Sequence, residues 1–547
     1  MKKTIADDLA KKQREISVSE FFSKNRHLLG FDNQHKSILT TVREGVDNSL
    51  DACEEAGILP IIYVGIFETS EDRFLVCIED NGPGIVRKQI PMVFGKLLYG
   101  SKFHRLKQSR GQQGIGISAA VMYGQITTGS STFITSKINK NSDTYRFEIQ
   151  IDMKRNEPVI VSENKIYEDH WKEKNSGILV EIELKGSYKA GQHSVESYLR
   201  QTALSNPHAD IYFSSNRNEP LKLSKIVNKL PFEAKEIKPH PHGIEYGVFK
   251  RILGDFKGSS INKFLTHSFS RITNQTANNV LRESGYRNIK YYKDNSEELY
   301  CALQKVKIKA PPTNCLSPIG SELIQKALLN LVYMNNNNII SSDSINKIVK
   351  SSFKYRNGLD NNGLFIVSVT RKPFVYRGNP FVIEVGVAYG KGIQSEETVK
   401  LYRFANKVPL LYQQSACATN KAMMQTVWKN YGIQQSRGAL PYGPMIVLIH
   451  IASVWVPYTS ESKEAIAHYS EIIKEIKLAL QDVGRKLSLY IKRQKRFAEE
   501  EKKKRYICKY IPIIGEALDD LLNLGKKNVN SIEENLRNML EKQRMKS

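Results

Sequence analysis

Residues 34–57 read QHKSILTTVREGVDNSLDACEEAG, and the stretch Glu44-Gly45-Val46-Asp47-Asn48-Ser49-Leu50-Asp51-Ala52 within them decides how the chain is read. Leu39, Val42, Val46, Leu50 and Cys53 recur at helical spacing, which predicts a helix from Gln34 to Ala56, stopped by Gly57 and Pro60. On that helix Asn48 lies about 40° from Glu44, and Asp51 about 20° the other way. The three polar residues therefore share one narrow face, opposite Val42, Val46 and Cys53. A carboxylate beside an amide suits two tasks: Glu accepts a proton from water, and an Asn oxygen joins a Mg²⁺ shell completed by phosphates and waters. The same pattern also describes a solvated helix face.

Two further stretches stand downstream. Strand-like runs Ile61–Phe67 and Arg73–Ile78 lead into Glu79-Asp80-Asn81-Gly82-Pro83-Gly84. A carboxylate at a strand end can accept the exocyclic amine of a purine, and glycines let backbone approach a flat ring. Taken alone, the motif is a turn. After an apolar, helix-like run Met92–Tyr99 comes Gly111-Gln112-Gln113-Gly114-Ile115-Gly116-Ile117-Ser118. Its glycines free backbone amides for phosphates, and the N-terminus of a following helix adds positive potential. No Lys-Ser/Thr follows, so this is not a Walker loop, and it opens no βαβ unit.

The rest of the chain bounds the answer. Its 547 residues allow three or four domains at about 150 residues each. Hydrophobic residues at 40% and charged residues at 25% exclude a mostly disordered chain, a collagen and a coiled-coil rod. The net charge of +25 points to a polyanion, either nucleic acid or an acidic membrane surface. The longest apolar run, Met445–Pro457, is interrupted by His450 and Ser453, and falls short of the ~18 residues that a spanning helix needs. The N-terminal MKKTIADDLAKKQ has no apolar core, so it does not read as a signal peptide. The six cysteines form no Cys-x-x-Cys pair, which disfavours zinc and fits reduced thiols. Residues 130–185 alternate as strands do, 244–300 look helical and basic, and mixed patterns return after KAPPTN. Proline clusters near 231–241 and 309–314 mark joints between these textures, and a helical stretch runs from Glu464 towards Arg505.

The motifs Glu44-x-x-x-Asn48-x-x-Asp51-Ala52, Asp80-x-Gly82-x-Gly84 and the glycine loop 111–116 occur in one order within about 75 residues. Together they resemble the Bergerat ATP-binding fold of the GHKL superfamily, which includes type II topoisomerases, MutL and sensor histidine kinases. The resemblance implies that Glu44 is the general base and Asn48 the Mg²⁺ ligand. It implies that Asp80 reads adenine, and that Asp51, Gly82, Gly84, Ser101 and Lys102 add nucleotide contacts. Gly111 to Ser118 would wrap the phosphates. One departure is Ile178, in GILVEIEL, where the superfamily often carries Thr.

Outside the ATPase motifs, further segments resemble the B subunits of DNA topoisomerase VI, a type IIB enzyme: SVSEFFSKNRHLLGF, KPHPHGIE, APPTNCLSPIGSELI, RFANKVPLLYQQSACATNKA and HIASVWVPYTSESKEAIA. The resemblance covers roughly residues 18–490. It implies an α+β multidomain chain. An N-terminal strap and GHKL ATPase α/β sandwich would occupy 1–228, and a helix–two-turn–helix domain 229–308. A ribosomal-S5-like transducer with a long helix would occupy 309–490, and a basic helical tail 491–547. Lys463 matches the switch lysine that reaches the γ-phosphate from the transducer; without the family it reads as a surface lysine at a helix start. The implied activity is ATP-gated capture of a DNA duplex by a B–B dimer. The duplex would pass through a break made by the A subunit, in an A₂B₂ enzyme of a prokaryotic, archaeal cytoplasm, with no membrane partner. The positive charge then fits duplex DNA held by phosphate contacts, with residues 485–505 as candidate contacts to the A subunit or to DNA. Two rival readings remain. One is an ATP-dependent scaffold partner of a topoisomerase-like DNA-cleaving protein, for which the intact nucleotide motifs are unusual. The other is a MutL-like repair protein or chaperone, which the segments outside the ATPase motifs disfavour.

Overall fold

The computed structural model describes residues 9–542, except 11, 12, 14, 103, 104, 112, 113, 218, 337–340, 342, 346, 347, 350–358, 362, 395, 396, 461 and 524; residues 359–361 and 540–542 are described by backbone alone. The helix that carries Glu44, α2, spans Gln34–Glu55, after a short α1 at Val18–Lys24. Asn33 caps α2 by accepting from the Lys36 N–H at 2.9 Å. Gly57, in the left-handed region at φ 71°, lets the chain leave the helix. Val42, Val46, Leu50 and Cys53 are all fully buried. Each such aliphatic side chain contributes roughly 1.5–3 kcal/mol through burial, so this face fixes how α2 is seated.

It is seated on an eight-stranded sheet: β1 Ile61–Ser70, β2 Arg73–Asp80, β3 Thr132–Lys137, β4 Thr144–Asp152, β5 Glu157–Ile166, β6 Gly177–Lys185, β7 Asp210–Ser215 and β8 Leu221–Leu223. The order is β5-β4-β3-β6-β2-β1-β7-β8, antiparallel except for the β1–β7 pair. In β2 every second residue is buried, and these pack under α2, α3 (Ile90–Gly95), α4 (Gly116–Thr128) and α5 (Val195–Ser205). The approach of α2 to β2 is close: a Cβ on Gly45 would lie 2.2 Å from Ile78 Cδ1.

The run Met92–Tyr99 is not wholly helical. α3 stops at Gly95 because Asn156 takes over the backbone: its side chain accepts from Leu97 N–H at 3.0 Å and donates to Leu97 C=O at 3.1 Å. Leu98 then turns into the left-handed region, and Lys102 reaches back to Asp51 on α2.

Five short helices follow: α6 Tyr246–Asp255, α7 Ile261–Ser268, α8 Asn274–Ser284, α9 Ile289–Asp294 and α10 Ser296–Lys305. They close around their own core, which includes Phe249, Phe264, Phe269 and Tyr292. A second sheet comprises β9 Leu359–Asn361, β10 Leu364–Thr370, β11 Phe374–Tyr376, β12 Asn379–Gly390, β13 Lys400–Ala405, β14 Val408–Pro409 and β15 Met445–Ser453. Its order is β14-β13-β15-β12-β10-β9, with β11 paired to β12. β15 is buried along its whole length, as its apolar sequence requires. α11 (Ser321–Asn335) lies on this sheet, where Ile324 and Leu328 meet Gly386.

A long helix, α12, spans Ser470–Leu522. It starts later and ends later than the charge pattern indicates. Residues 464–469 stay in a loop, with Ile466 bridged to Tyr458, and the charged segment 491–505 is continuous helix. Two compact units make up the chain: Met1–Thr426 with Gln435–Val483, and Val427–Gln434 with Gly484–Ser547. In the second unit α13 (Lys526–Lys542) packs on α12 at Gly515 through Val529 and Glu533. There Ile511 is buried, whereas Ile514 and Leu521 stay exposed.

Candidate active site

A cavity of about 530 Å³ lies between α2, the end of β2, residues 99–102, the start of α4 and the loop that follows β15. Such a volume suits a nucleotide-sized ligand. One end is apolar, lined by Ile78, Ile85, Val93, Phe94, Ile178 and Val180. Asp80 sits there, only 3% exposed. Its carboxylate accepts from the Ser49 hydroxyl at 2.6 Å and from the Gly82 N–H at 2.9 Å. Burial nevertheless pushes the Asp80 carboxyl above its ordinary range, with Ser49 and Gly82 pulling the other way. Ile178 is the β6 partner of Asp80 in register and adds an apolar wall. A hydroxyl is still beside Asp80, supplied by Ser49, a residue outside the sequence motifs. Gly84 holds φ 67°, and a Cβ there would strike the Lys137 carbonyl at 2.2 Å, so only glycine lets this turn lie on the sheet.

The other end is polar and lies under the glycine loop. Gly116 opens α4 directly against Glu44: a Cβ at that position would lie 1.9 Å from Glu44 Oε2. The helix N-terminus and the carboxylate therefore face the same space. Burial disfavours the Glu44 charge, but Lys463 and Arg43 outweigh it and hold the carboxyl below its ordinary range. Glu44 is thus ionised at neutral pH. Asn48 is exposed to the cavity, its Oδ1 3.6 Å from where a Gly111 Cβ would lie.

Asp51 does not line the cavity. It is buried behind Asn48, where Lys102 Nζ donates to Oδ2 at 2.7 Å and Arg110 Nη1 to Oδ1 at 2.8 Å. Against the cost of burial, these two cations lower its pKa to about 2. Arg110 also donates to Glu54 Oε1 at 2.6 Å and to Asn206 Oδ1. The root of the glycine loop is therefore tied to α2 through Asp51 and Glu54. It is tied to the second sheet's side as well, since Asn406 donates to Ser109 C=O at 3.0 Å and Gln108 Nε2 to Ser317 C=O at 3.1 Å.

Lys463 enters the cavity from the loop after β15. It is 6% exposed, with φ 52°, and its ammonium donates to the Arg110 carbonyl at 3.1 Å. The left-handed backbone costs a β-carbon-bearing residue about 1–2 kcal/mol, and α2 holds the loop in place against that cost. Arg43 Nη1 donates to Ser462 C=O at 2.9 Å, and Lys36 pairs with Glu464 at 3.1 Å.

The structure thus brings Glu44, Asn48, Asp80, Gly84, Ser101, Lys102, Gly111, Gly114, Ile115, Gly116, Ile117 and Lys463 to one cavity. Gly82 and Ser118 stand behind it. Gly82 N–H holds Asp80, and the Ser118 hydroxyl donates to Ile115 C=O at 3.3 Å inside α4. Gln112 and Gln113 lie outside the described residues. Ser49, Arg43, Arg110, Ser462 and Glu464 are positioning residues that the motifs did not name. Their signal is weak in the sequence, because each acts through partners far along the chain. A Mg²⁺ ion fits the donor set. Among the described residues no His/Cys/Asp/Glu group forms a cage by itself. A single amide oxygen at Asn48, facing the phosphate end, suits an ion that takes its other ligands from phosphates and water. Among the described residues no helix is long and apolar enough to cross a membrane. The six cysteines are all free.

Residues 36–177 match the family of histidine kinase-, DNA gyrase B- and HSP90-like ATPases. Residues 341–504 match the topoisomerase VI B-subunit transducer family. The chain is 44% identical over 533 residues to the B subunit of type 2 DNA topoisomerase 6 from Methanococcoides burtonii, covering 96% of this chain and 80% of that one. It is 44% identical over 516 residues to that of Archaeoglobus fulgidus, covering 93% and 80%. The figures for Methanosarcina acetivorans are 44% over 535 residues, covering 96% and 80%.

Proposed function

The chain belongs to the topoisomerase VI B-subunit family, and from that membership we propose how its ATPase site works within an ATP-dependent type II DNA topoisomerase. The observation that carries the reading is the convergence of Glu44 and Lys463, far apart in sequence, on one nucleotide-sized cavity.

ATP lies with its base at Asp80, where the buried carboxylate accepts the exocyclic amine and Ile78, Ile178 and Val180 cover the ring. Its phosphates run under the glycine loop towards the N-terminus of α4, with Ser101 and Lys102 alongside. Asn48 is the residue that holds Mg²⁺, which neutralises phosphate charge when bound. Glu44 accepts the proton of the attacking water, so it must be ionised, and its depressed pKa keeps it so. Lys463 exchanges the Arg110 carbonyl for the γ-phosphate. Because its loop leads directly to α12, this exchange carries the state of the nucleotide into the transducer.

We assign residues 1–228 to the strap and ATPase domain, 229–308 to the helix–two-turn–helix domain, 309–490 to the transducer and 491–547 to a basic tail. The A subunit supplies the DNA break, and two B subunits close on a duplex when ATP is bound. The +25 charge supports a grip on phosphates, so DNA binding is salt-dependent and tolerant of sequence. The enzyme works in the cytoplasm of an archaeon.

Glu44→Ala tests the site. Nucleotide binding persists, while hydrolysis falls about 100-fold or more, the range for losing a general base. Wild-type turnover in this variant refutes the assignment.

A further inference from the structure

Asn406 and Lys407 form the turn between β13 and β14, and none of the steps of hydrolysis uses them. Both hold the left-handed backbone, at φ 49° and 69°. A two-residue hairpin turn of this kind favours Asn followed by Gly. Here Lys stands where Gly is expected, and both residues are buried. Lysine is rarely buried unless it is paired. Lys407 Nζ donates to Ser317 Oγ at 3.3 Å and lies 3.7 Å from Glu54 Oε2. Its N–H donates to His450 Nε2 at 3.0 Å, and its C=O accepts from the Ser205 hydroxyl at 2.6 Å. The strained turn is thus held from α2, α5 and β15 together, and strain of this sort persists where the surroundings over-determine it, typically at working parts of a protein.

Asn406 makes the connection that matters. An amide side chain has two N–H donors and one acceptor oxygen, and all are used on backbone. Nδ2 donates to Ser109 C=O at 3.0 Å and to Ser453 C=O at 2.9 Å, while Oδ1 accepts from Ser453 N–H at 2.9 Å. Ser109 precedes Arg110, whose carbonyl holds the Lys463 ammonium. Ser453 ends β15, from which the chain runs on to Lys463. One side chain therefore grips both the root of the loop on which Lys463 rests and the strand that carries Lys463. Lys407 backs the first of these, because Glu54 beside it accepts from Arg110 at 2.6 Å.

We propose that Asn406 is a positioning residue for hydrolysis: it pins the root of the glycine loop to the end of β15, so that closure of the loop on a nucleotide and delivery of Lys463 are one movement. It touches neither nucleotide nor water, and acts through Ser109 and Ser453. The inference rests on the reading of Lys463 as the lysine that reaches the γ-phosphate.

Asn406→Gly tests it in the full chain. Glycine takes the left-handed backbone freely, so the variant keeps the turn and removes the three side-chain bonds. Hydrogen exchange is followed at the amides of Ser453–Ser460, with and without a non-hydrolysable ATP analogue and Mg²⁺, alongside turnover against ATP concentration. In the wild type the analogue should change exchange in this stretch about threefold or more. In Asn406→Gly the analogue should still bind, but this response should be lost, and kcat should fall about tenfold or more while KM changes less. A residue that only stabilised the fold would raise exchange equally with and without the analogue and leave the response in place. That result overturns the proposal and leaves the nucleotide site standing, as does a raised KM with unchanged kcat. Should Asn406→Gly fail to fold, Asn406→Asp keeps the acceptor for Ser453 N–H but cannot donate to Ser109 C=O; a response retained there overturns the proposal. A wild type that binds the analogue with no response at Ser453–Ser460 overturns both this inference and the reading of Lys463 on which it rests.

Discussion

The Lys463 ammonium donates to the backbone carbonyl of Arg110 at 3.1 Å, so a residue from beyond β15 is bonded to the root of the glycine loop. The bond joins the glycine loop to the segment that leads into α12. It is a neutral acceptor for a cation, weaker than a phosphate oxygen, so the lysine is poised to change partners. Lys463→Ala removes this bond and the one proposed to the γ-phosphate. Hydrolysis should fall about 10–100-fold, and analogue-induced dimerisation of the chain should weaken, as measured by turnover and by analytical ultracentrifugation. An unchanged dimer shows that Lys463 carries no signal.

Gly116 and Glu44 make a steric test. A Cβ at 116 meets Glu44 Oε2 at 1.9 Å, and that oxygen is the far end of a flexible side chain. Gly116→Ala therefore leaves the fold intact and swings the carboxylate aside. A displacement of an ångström at a reacting group can cost about 100-fold. Thermal unfolding should stay within a few degrees of wild type while kcat drops; a variant with normal kcat refutes the placement of Glu44 against α4.

Asp51 predicts a pH effect. Its pKa is lowered to about 2 in the fold, against ~3.9 when unfolded. A depressed carboxyl contributes stability that is fully present above the unfolded pKa and is lost as pH falls through the folded one. Asp51→Asn also leaves Lys102 without its carboxylate partner and Arg110 with one fewer. Denaturant unfolding near pH 7 should then lose roughly 3 kcal/mol. The gap between wild type and variant should close between pH ~4 and 2. A gap that is constant with pH means that Asp51 is not charged in the native state.

Much of this site was legible because its motifs lie on single elements. The spacing of Glu44, Asn48 and Asp51 gives one helix face, and Val42, Val46 and Cys53 bury the other. What periodicity could not show is depth: Asp51 shares that face, yet Lys102 and Arg110 cover it, while Asn48 beside it stays open. Those covering side chains arrive from about 50–60 positions along the chain, and no local pattern encodes them. The early end of α3 was hidden for the same reason, since Asn156 on a distant turn decides it. Lys463 was visible only through family resemblance, because a lone lysine between a strand and a helix has no periodic signature. Ser49 carries no such signal, because its role depends on the strand that α2 packs against.

Arg43 gives the last prediction. Its Nη2 donates to Glu44 Oε1 at 3.3 Å, and its Nη1 donates to Ser462 C=O at 2.9 Å. After burial, which raises the Glu44 pKa, Lys463 and then Arg43 are what lower it. Arg43→Gln removes one of those cations and leaves a neutral, shorter amide in its place, which gives up the Nη1 bond to Ser462 C=O. The Glu44 pKa must rise. With Glu44 as the proposed base, hydrolysis needs it ionised, so the rate falls as pH drops through that pKa, and the acidic limb of the rate profile should move to higher pH. Turnover at saturating ATP across pH 4–8 reads this directly. At the alkaline plateau the variant should lose less than its acidic limb does, since there the base is ionised in both proteins. A limb that stays in place, or moves to lower pH, shows that the group titrating in hydrolysis is not the carboxylate that Arg43 touches.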